Sequence, residues 1–526
     1  MKHFPKPAVW LRAMTAGLAT LPGPALAQSA AADSWTRADA SLRLGFETVA
    51  LPAGEGMGLL GTSYIVELQP GLCAGPGVYG AISGQRGGLF VVGAEAAWCT
   101  RLIGPLSLEA GLYVGGGGGG SAPVGGGLML RPHADLLWRV GGYRAGVSVS
   151  RVRFPSGQID STQFGVVFSA DTGFIYLPSG NAPLPYDGSG RTGFGFDRIV
   201  GVAGAYRPPA GTVGIGGVPL AAQIGYVGAR AERFWVPNLY GGIEANGAAG
   251  GGAAGYAEFL GTLGVEWPVV ADRLSVGGRL ALGMGGGGEV PVGGGLLGKA
   301  ALDAQLRLSR DLSFKAEAGW AKAPQGSFSA PFASLGLSWD LDHAQGSARS
   351  PDVSLFPLGG ADAAGRGPWG QSHGQLTRFT RQEFAGGVET YRLAARESGP
   401  PQSLQNVTLK FNRFLDDTFY VTGQVGSAYG GDAGGFAVGL IGLGAQAPLG
   451  ERLRVGAELL AGAAAGGNVA SGGGAILQPM VYVGLDLTPS VSLRLGAGQV
   501  KALRGPLDST VLDLTLAFSF GVASRP

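Results

Sequence analysis

Apolar and polar residues alternate with period two through most of the chain, in runs of about ten residues between turn signals. Within 510–520, Leu512, Leu514, Leu516, Phe518 and Phe520 share one face, and Asp513, Thr515, Ala517 and Ser519 the other. Residues 106–114 repeat this, with Leu106, Leu108, Ala110, Leu112 and Val114 against Ser107, Glu109, Gly111 and Tyr113. Leu453, Val455, Ala457, Leu459 and Ala461 likewise oppose Arg454, Gly456, Glu458 and Gly462. Such alternation marks strands, because successive side chains point to opposite sides. Near the C-terminus it predicts eight of them, close to 384–395, 404–415, 417–429, 434–447, 453–463, 474–487, 491–502 and 510–520. Their length suits tilted strands crossing a hydrocarbon layer.

The strands fall into repeats. A Gly-rich block recurs as LSLEAGLYVGGGGGGSAPVGGGLML (106–130), LSVGGRLALGMGGGGEVPVGGGLLG (274–298) and LRVGAELLAGAAAGGNVASGGGAIL (453–477). At a fixed distance a second block follows: FPSGQIDS (154–161), APQGSFSA (323–330) and LRGPLDST (503–510). Paired motifs at one separation, three times over, define three units: 36–175, 196–342 and 382–520. Linkers 176–195 and 343–381, rich in Gly, Pro, Ser and Asp, join them. In each unit the Gly-rich loop falls between the fifth and sixth strands and the second block between the seventh and eighth. Turns on the opposite side are short, as at 448–451 and 488–490, an asymmetry typical of outer-membrane barrels. The expectation is an all-β, transmembrane antiparallel β-barrel of about 24 strands from three eight-stranded repeats. Three consecutive eight-stranded barrels are the alternative, favoured by the long linkers. Inward Gly, Ala and Ser favour the single wide ring, since they would leave narrow barrels underfilled.

Composition narrows the classes. Gly accounts for 100 of 526 residues, which excludes long soluble helices. Charged residues are only 14% and hydrophobic ones 45%, which argues against disorder. A net charge of +2 offers no long-range attraction for nucleic acid. Lys2, Lys6 and Arg12, an apolar stretch at 13–22 and Ala25-Leu26-Ala27 read as a signal peptide spanning 1–27. Downstream, Gly and polar residues interrupt every candidate for a membrane-spanning helix. Cys73 and Cys99 face each other if the chain turns at Gln85-Arg86-Gly87, which predicts a cross-strand disulfide in an oxidising compartment, two buried thiols being the alternative.

The signal peptide, the alternating strands and a last strand ending in Phe518-x-Phe520 resemble Gram-negative outer-membrane β-barrel proteins of the porin-like class. The resemblance implies residence in the outer membrane, lipid as the outer solvent and the barrel assembly machinery as a partner that reads the last strand. Gly521 to Pro526 follow the terminal aromatic.

Candidate chemistry is sparse. His133 and Asp135 share a strand face, but the repeats carry Ala301 and Met480 at the position of His133, so no catalytic role is expected. His343 and His373 lie in the second linker. No Cys or His cluster suggests a metal, and no motif suggests a cofactor. Glu109, Arg279, Arg454 and Glu458 are expected to line a lumen. Gly115, Gly118, Pro123, Gly126, Gly286, Pro291, Gly294 and Gly473 mark loops expected to fold inward and constrict it, or to pack against each other. Asp160 and Asp508, in the second block, are read as turn caps, with sugar or ion binding as the alternative. The expected function is a channel or export pore for a large polar solute, with polysaccharide preferred over protein. A non-conducting structural or adhesive surface protein is the alternative, and a secreted Gly-rich β-protein or a membrane enzyme are more remote ones.

Overall fold

The computed structural model describes residues 34–179, 186, 191–236, 238–270, 273–309, 311–341 and 378–524. The expected signal peptide, His343, His373 and much of both linkers lie outside them. The described residues form 24 strands, from Thr36–Ala50 to Asp508–Ser524, with antiparallel pairing between neighbours. Each of the eight segments read from the alternation near the C-terminus overlaps one observed strand, from Arg378–Ala394 to Asp508–Ser524.

Ring closure departs from the single wide barrel. In the first unit, the strand Thr36–Ala50 pairs with Asp160–Pro178 from Thr36↔Tyr176 to Glu47↔Gly165. In the second, Arg198–Tyr206 pairs with Ser329–Asp340. In the third, Arg378–Ala394 pairs with Asp508–Ser524 from Arg378↔Ser524 to Arg392↔Thr510. Every unit thus closes on itself, giving three eight-stranded barrels, here barrel 1 (36–178), barrel 2 (198–340) and barrel 3 (378–524). The physical reason is local: each unit begins and ends at the same membrane side, so its own two edges are the nearest partners for otherwise unpaired backbone groups. Barrels 1 and 3 additionally share a short pairing, Phe520↔Pro178 and Gly521↔Leu177.

The underfilling expected of narrow barrels is avoided by cross-strand pairing. Inward glycines sit directly opposite tyrosines whose rings lie over them: Gly61 and Tyr79, Gly204 and Tyr226, Gly264 and Tyr240, Gly444 and Tyr420, Gly456 and Tyr482. A methyl group on Gly264 or Gly444 would fall 2.2 Å from the Tyr240 or Tyr420 ring. The large ring fills the space that the missing side chain leaves.

Polarity is inverted relative to a water-soluble fold. Outward positions carry large aliphatics and aromatics, among them Leu302 at 76%, Phe164 at 79% and Leu495 at 66% exposure. Inward positions carry buried charges, such as Arg198 at 1% and Glu232 at 0%. Trp98, Trp138, Trp267 and Trp320 stand exposed near strand ends, where an interfacial aromatic belt belongs. Among the described residues no helix is long and apolar enough to cross a membrane. The first linker returns between barrels: Phe194 packs against Tyr64 and Phe174 of barrel 1 and Phe384, Phe411 and Phe520 of barrel 3. Phe520 is fully buried there.

Candidate functional site

The candidate site is the set of three lumens and the loops over their mouths. Alternation aims charged side chains inward from several strands, and the lumen then matches them. In barrel 1, Arg43 meets Glu95 at 2.9 Å, Glu109 at 3.2 Å and Asp135. Glu109 also meets Arg144, while Arg131 binds Glu47 through two hydrogen bonds of 2.8 and 2.9 Å. In barrel 2, Arg279 lies 2.9 Å from Glu244 and also meets Glu317. Glu244 further contacts Arg230 at 3.3 Å and Lys299 at 3.3 Å, and Arg198 contacts Glu232 at 3.0 Å and Glu266 at 2.8 Å. In barrel 3, Glu458 accepts from Lys410 at 2.6 Å and Tyr420 at 2.8 Å. Glu109, Arg279 and Glu458 therefore do face lumens, but as members of closed ion-pair networks. Arg454 sits at a mouth, paired with Asp486 at 2.8 Å.

The other half of each lumen is apolar. Beneath the patterned loops lies a buried cluster: Met57, Leu59, Val91 and Phe154 in barrel 1, Tyr256, Leu297 and Phe328 in barrel 2, Leu404, Phe436 and Ile476 in barrel 3. The Gly-rich loops contribute to it directly, lowering Val124, Val292 and Val469 into the mouths. The two repeated blocks interlock to hold this arrangement. Gln158 N–H donates to the Pro123 carbonyl at 2.8 Å, Phe328 N–H to the Pro291 carbonyl at 3.0 Å, and Gly126 N–H to Ser156 Oγ at 2.9 Å. Gly118 and Gly286 take φ of 153° and 146°, conformations that side chains resist. Gly115 leaves room for the Tyr113 hydroxyl, and Gly294 lies against Gln325, whereas Gly473 has nothing within 4 Å.

Several expected residues land elsewhere. Asp160 and Asp508 do not cap turns: each opens the last strand of its barrel and faces outward into cross-strand pairing. Asp160 holds Arg151 at 2.7 Å, and Asp508 meets Gln499 and, at 3.9 Å, Lys501. Cys73 is opposite Ala97 rather than Cys99, because the hairpin closes with Gly80 facing Phe90, a register displaced from the turn centre read in the sequence. Both thiols are unbonded, and they lie within hydrogen-bonding reach on the inner face. His133 is closed inside barrel 1, with Nδ1 3.1 Å from Asp135 and Nε2 3.0 Å from Glu95, as part of the charge balance. Among the described residues no group of His, Cys, Asp and Glu could hold a metal ion.

Sequence reasoning missed the tyrosine lids and the apolar plugs. The readable signal for the first was a Tyr and a Gly at matched distances from one turn. For the second it was a hydrophobe such as Val124 or Val292 flanked by Gly runs.

No family model matches the chain, and no curated protein does. Some solved structures show a distant likeness. Pseudomonas aeruginosa OpdQ is 9% identical, covering 92% of this chain and 98% of its own at a TM-score of 0.21. P. aeruginosa OccK11 is 12% identical, covering 92% and 96%, also at 0.21. The siderophore receptor PirA of Acinetobacter baumannii is 8% identical, covering 92% and 80%, at 0.26. Superposition at this level transfers neither geometry nor activity. A closed wall that is aliphatic outside and charge-matched inside suits a lipid surround, which is the arrangement of a membrane-spanning β-barrel.

Proposed function

We propose that this chain is a sealed, non-conducting outer-membrane protein that serves as a structural or surface-presenting platform. The carrying observation is that each of the three lumens is blocked twice, by an apolar plug under the loops and by an ion-pair network below it. Eight-stranded barrels are generally filled by side chains. A polysaccharide or other large polar solute has no route through a lumen of this size, so the wide export pore is set aside. Lipid is the solvent of the outer wall, and the barrel assembly machinery is the inserting partner in this reading. One outer connection breaks the threefold repetition and suits presentation: residues 207–223 of barrel 2 form a hairpin tip with Val213, Ile215 and Val218 exposed. The test is single-channel recording of the folded, heat-modifiable full chain in a planar bilayer. Silence is expected, and large stable conductance steps would overturn the reading.

A second reading, passage of water-sized solutes, is favoured by barrel 3. A cavity of about 10 Å³, room for one water, lies among Lys410, Glu458, Arg494 and Asp513, and Arg494 also borders a pocket at the mouth. If this reading holds, Arg494→Ala will give small-ion conductance that the parent lacks.

A further inference from the structure

The repeated loops also reach the neighbouring barrel, in the same way three times. A methyl group on Gly295 of barrel 2 would stand 2.2 Å from the Ala81 carbonyl oxygen of barrel 1. One on Gly127 of barrel 1 would stand 2.3 Å from the Ala428 carbonyl oxygen of barrel 3, and one on Gly474 of barrel 3 would stand 2.8 Å from the Ala248 carbonyl oxygen of barrel 2. The three alanines occupy one position, near the end of the third strand of each barrel. Glycine meets glycine beside these contacts: Gly88 with Gly287, Gly435 with Gly119, and, less closely, Gly255 with Gly466. Between barrels 1 and 2 the backbones bond directly, Gly87 N–H donating to the Gly293 carbonyl at 3.0 Å. Only residues without side chains allow such approach.

The contacts have a direction. The loop between the fifth and sixth strands of barrel 2 docks on barrel 1, that of barrel 1 docks on barrel 3, and that of barrel 3 docks on barrel 2. Head-to-tail contacts that return to their starting point form a closed ring. The heaviest glycine usage in the sequence coincides with this ring, which accounts for a repetition that sealing a single barrel would not require.

We propose that the chain is an internal cyclic trimer, in which each barrel carries a surface fitted to another barrel of its own kind, and that cohesion resides in this glycine ring rather than in the linkers. Strand pairing within each barrel is independent of it, so the ring can be broken without unfolding the barrels. The inference goes beyond the sealed-platform reading, since it concerns how the barrels hold together and not what their lumens pass.

The experiment uses the full chain, folded in detergent, with one protease site inserted within 180–185 and another within 343–376. After cutting at both sites, the three pieces are expected to run as one particle of the uncut size. The same cut is then made in a Gly87→Ala, Gly434→Ala double variant. Both positions have ordinary backbone angles, and a methyl group would meet the adjoining barrel, 2.4 Å from the Gly293 oxygen and 2.2 Å from the Gly125 oxygen. The cut double variant is expected to release barrel 1 from a particle of barrels 2 and 3, whose contact at Gly474 and Ala248 neither substitution touches, and heat-modifiable gel mobility then shows that the pieces remain folded. Gly473→Ala, with open space around it, is expected to leave the ring whole. Separation of the cut parent would overturn the proposal in favour of the linkers. A cut double variant that stays together would overturn it in favour of the aromatic packing around Phe194. Conductance plays no part in these readouts, so either result leaves the sealed-lumen reading to its own test.

Discussion

Barrels 2 and 3 share strand number, tyrosine lids and an apolar plug, yet they fill their charged halves by different chemistry. Barrel 2 interleaves cations and anions so that Glu232, Glu244 and Glu317 each touch more than one cation. Among the described residues barrel 3 shows the inner ion pairs Lys410 with Glu458 at 2.6 Å and Arg494 with Glu383 at 2.5 Å, and completes the lumen with amides and hydroxyls. Glu389 there accepts from Gln424 at 2.9 Å and Gln478 at 3.1 Å, and Gln478 accepts from Tyr391 at 2.7 Å. One scaffold therefore accommodates either solution. The two solutions differ in how much a single substitution unbalances.

The largest effect is expected in barrel 2. Glu244→Gln leaves Arg230, Arg279 and Lys299 short of a shared negative charge in a water-excluded lumen, at a cost of about 3–5 kcal/mol. The urea transition followed by Trp fluorescence checks this, because barrels 1 and 2 contain tryptophan and barrel 3 has none. An unchanged midpoint would mean that the network is not a unit. Next come the lids, where the barrels should behave alike. Gly264→Ala and Gly444→Ala each push a methyl group into a tyrosine ring, and overpacking of this kind costs about 1–3 kcal/mol. Equal losses, read as loss of the heat-modifiable band in urea, would show that the barrels differ by electrostatics and not by packing.

Much of this was readable before any coordinates, and the reasons are physical. Lipid and lumen impose opposite polarity on alternate residues, so Leu512 to Phe520 announce a strand and Glu109, Arg279 and Glu458 announce the inward side. Their partners were not readable, because Arg43, Glu317 and Lys410 arrive from strands remote in sequence. Closure was misjudged for a related reason: Gly264 and Gly444 look like empty space until Tyr240 and Tyr420 on adjacent strands cover them. The Cys73–Cys99 register slipped because Ser83 to Leu89 offers several equivalent turn centres among its glycines, and alternation alone cannot choose between them. The Gly-rich blocks stood out in the sequence as repeated loops, but a hydrophobe lowered into a mouth and a glycine pressed on a neighbouring barrel leave the same trace there.

The amide-lined lumen sharpens the contrast further. Glu389→Gln in barrel 3 exchanges one acceptor among amides for another and strands no cation, so its effect should stay within about 1 kcal/mol. Protease resistance of 378–524 in urea measures it. A loss as large as that of Glu244→Gln would erase the distinction drawn between the two interiors.

The smallest difference lies in the turns that close corresponding hairpins. In barrel 3, Asp416 sits between the strands Gln402–Phe414 and Phe419–Gly430, and its Oδ1 accepts from the Phe419 and Thr418 N–H groups, both at 2.7 Å. Those two donors favour the ionised carboxylate and hold its pKa below the ordinary Asp value of 3.8. A carboxyl depressed on folding lends its stabilisation at pH above its unfolded value, and loses it as pH falls through the lower folded value. The corresponding turn of barrel 2 carries Asn238, which has no charge to lose. Hydrogen exchange at Thr418 and Phe419 should therefore quicken in acid below the ordinary Asp range, while Asp416→Asn should remove that acid step and keep the turn. An acid step that persists in the variant would assign it to another group, and the two turns would then differ in sequence without differing in their response to pH.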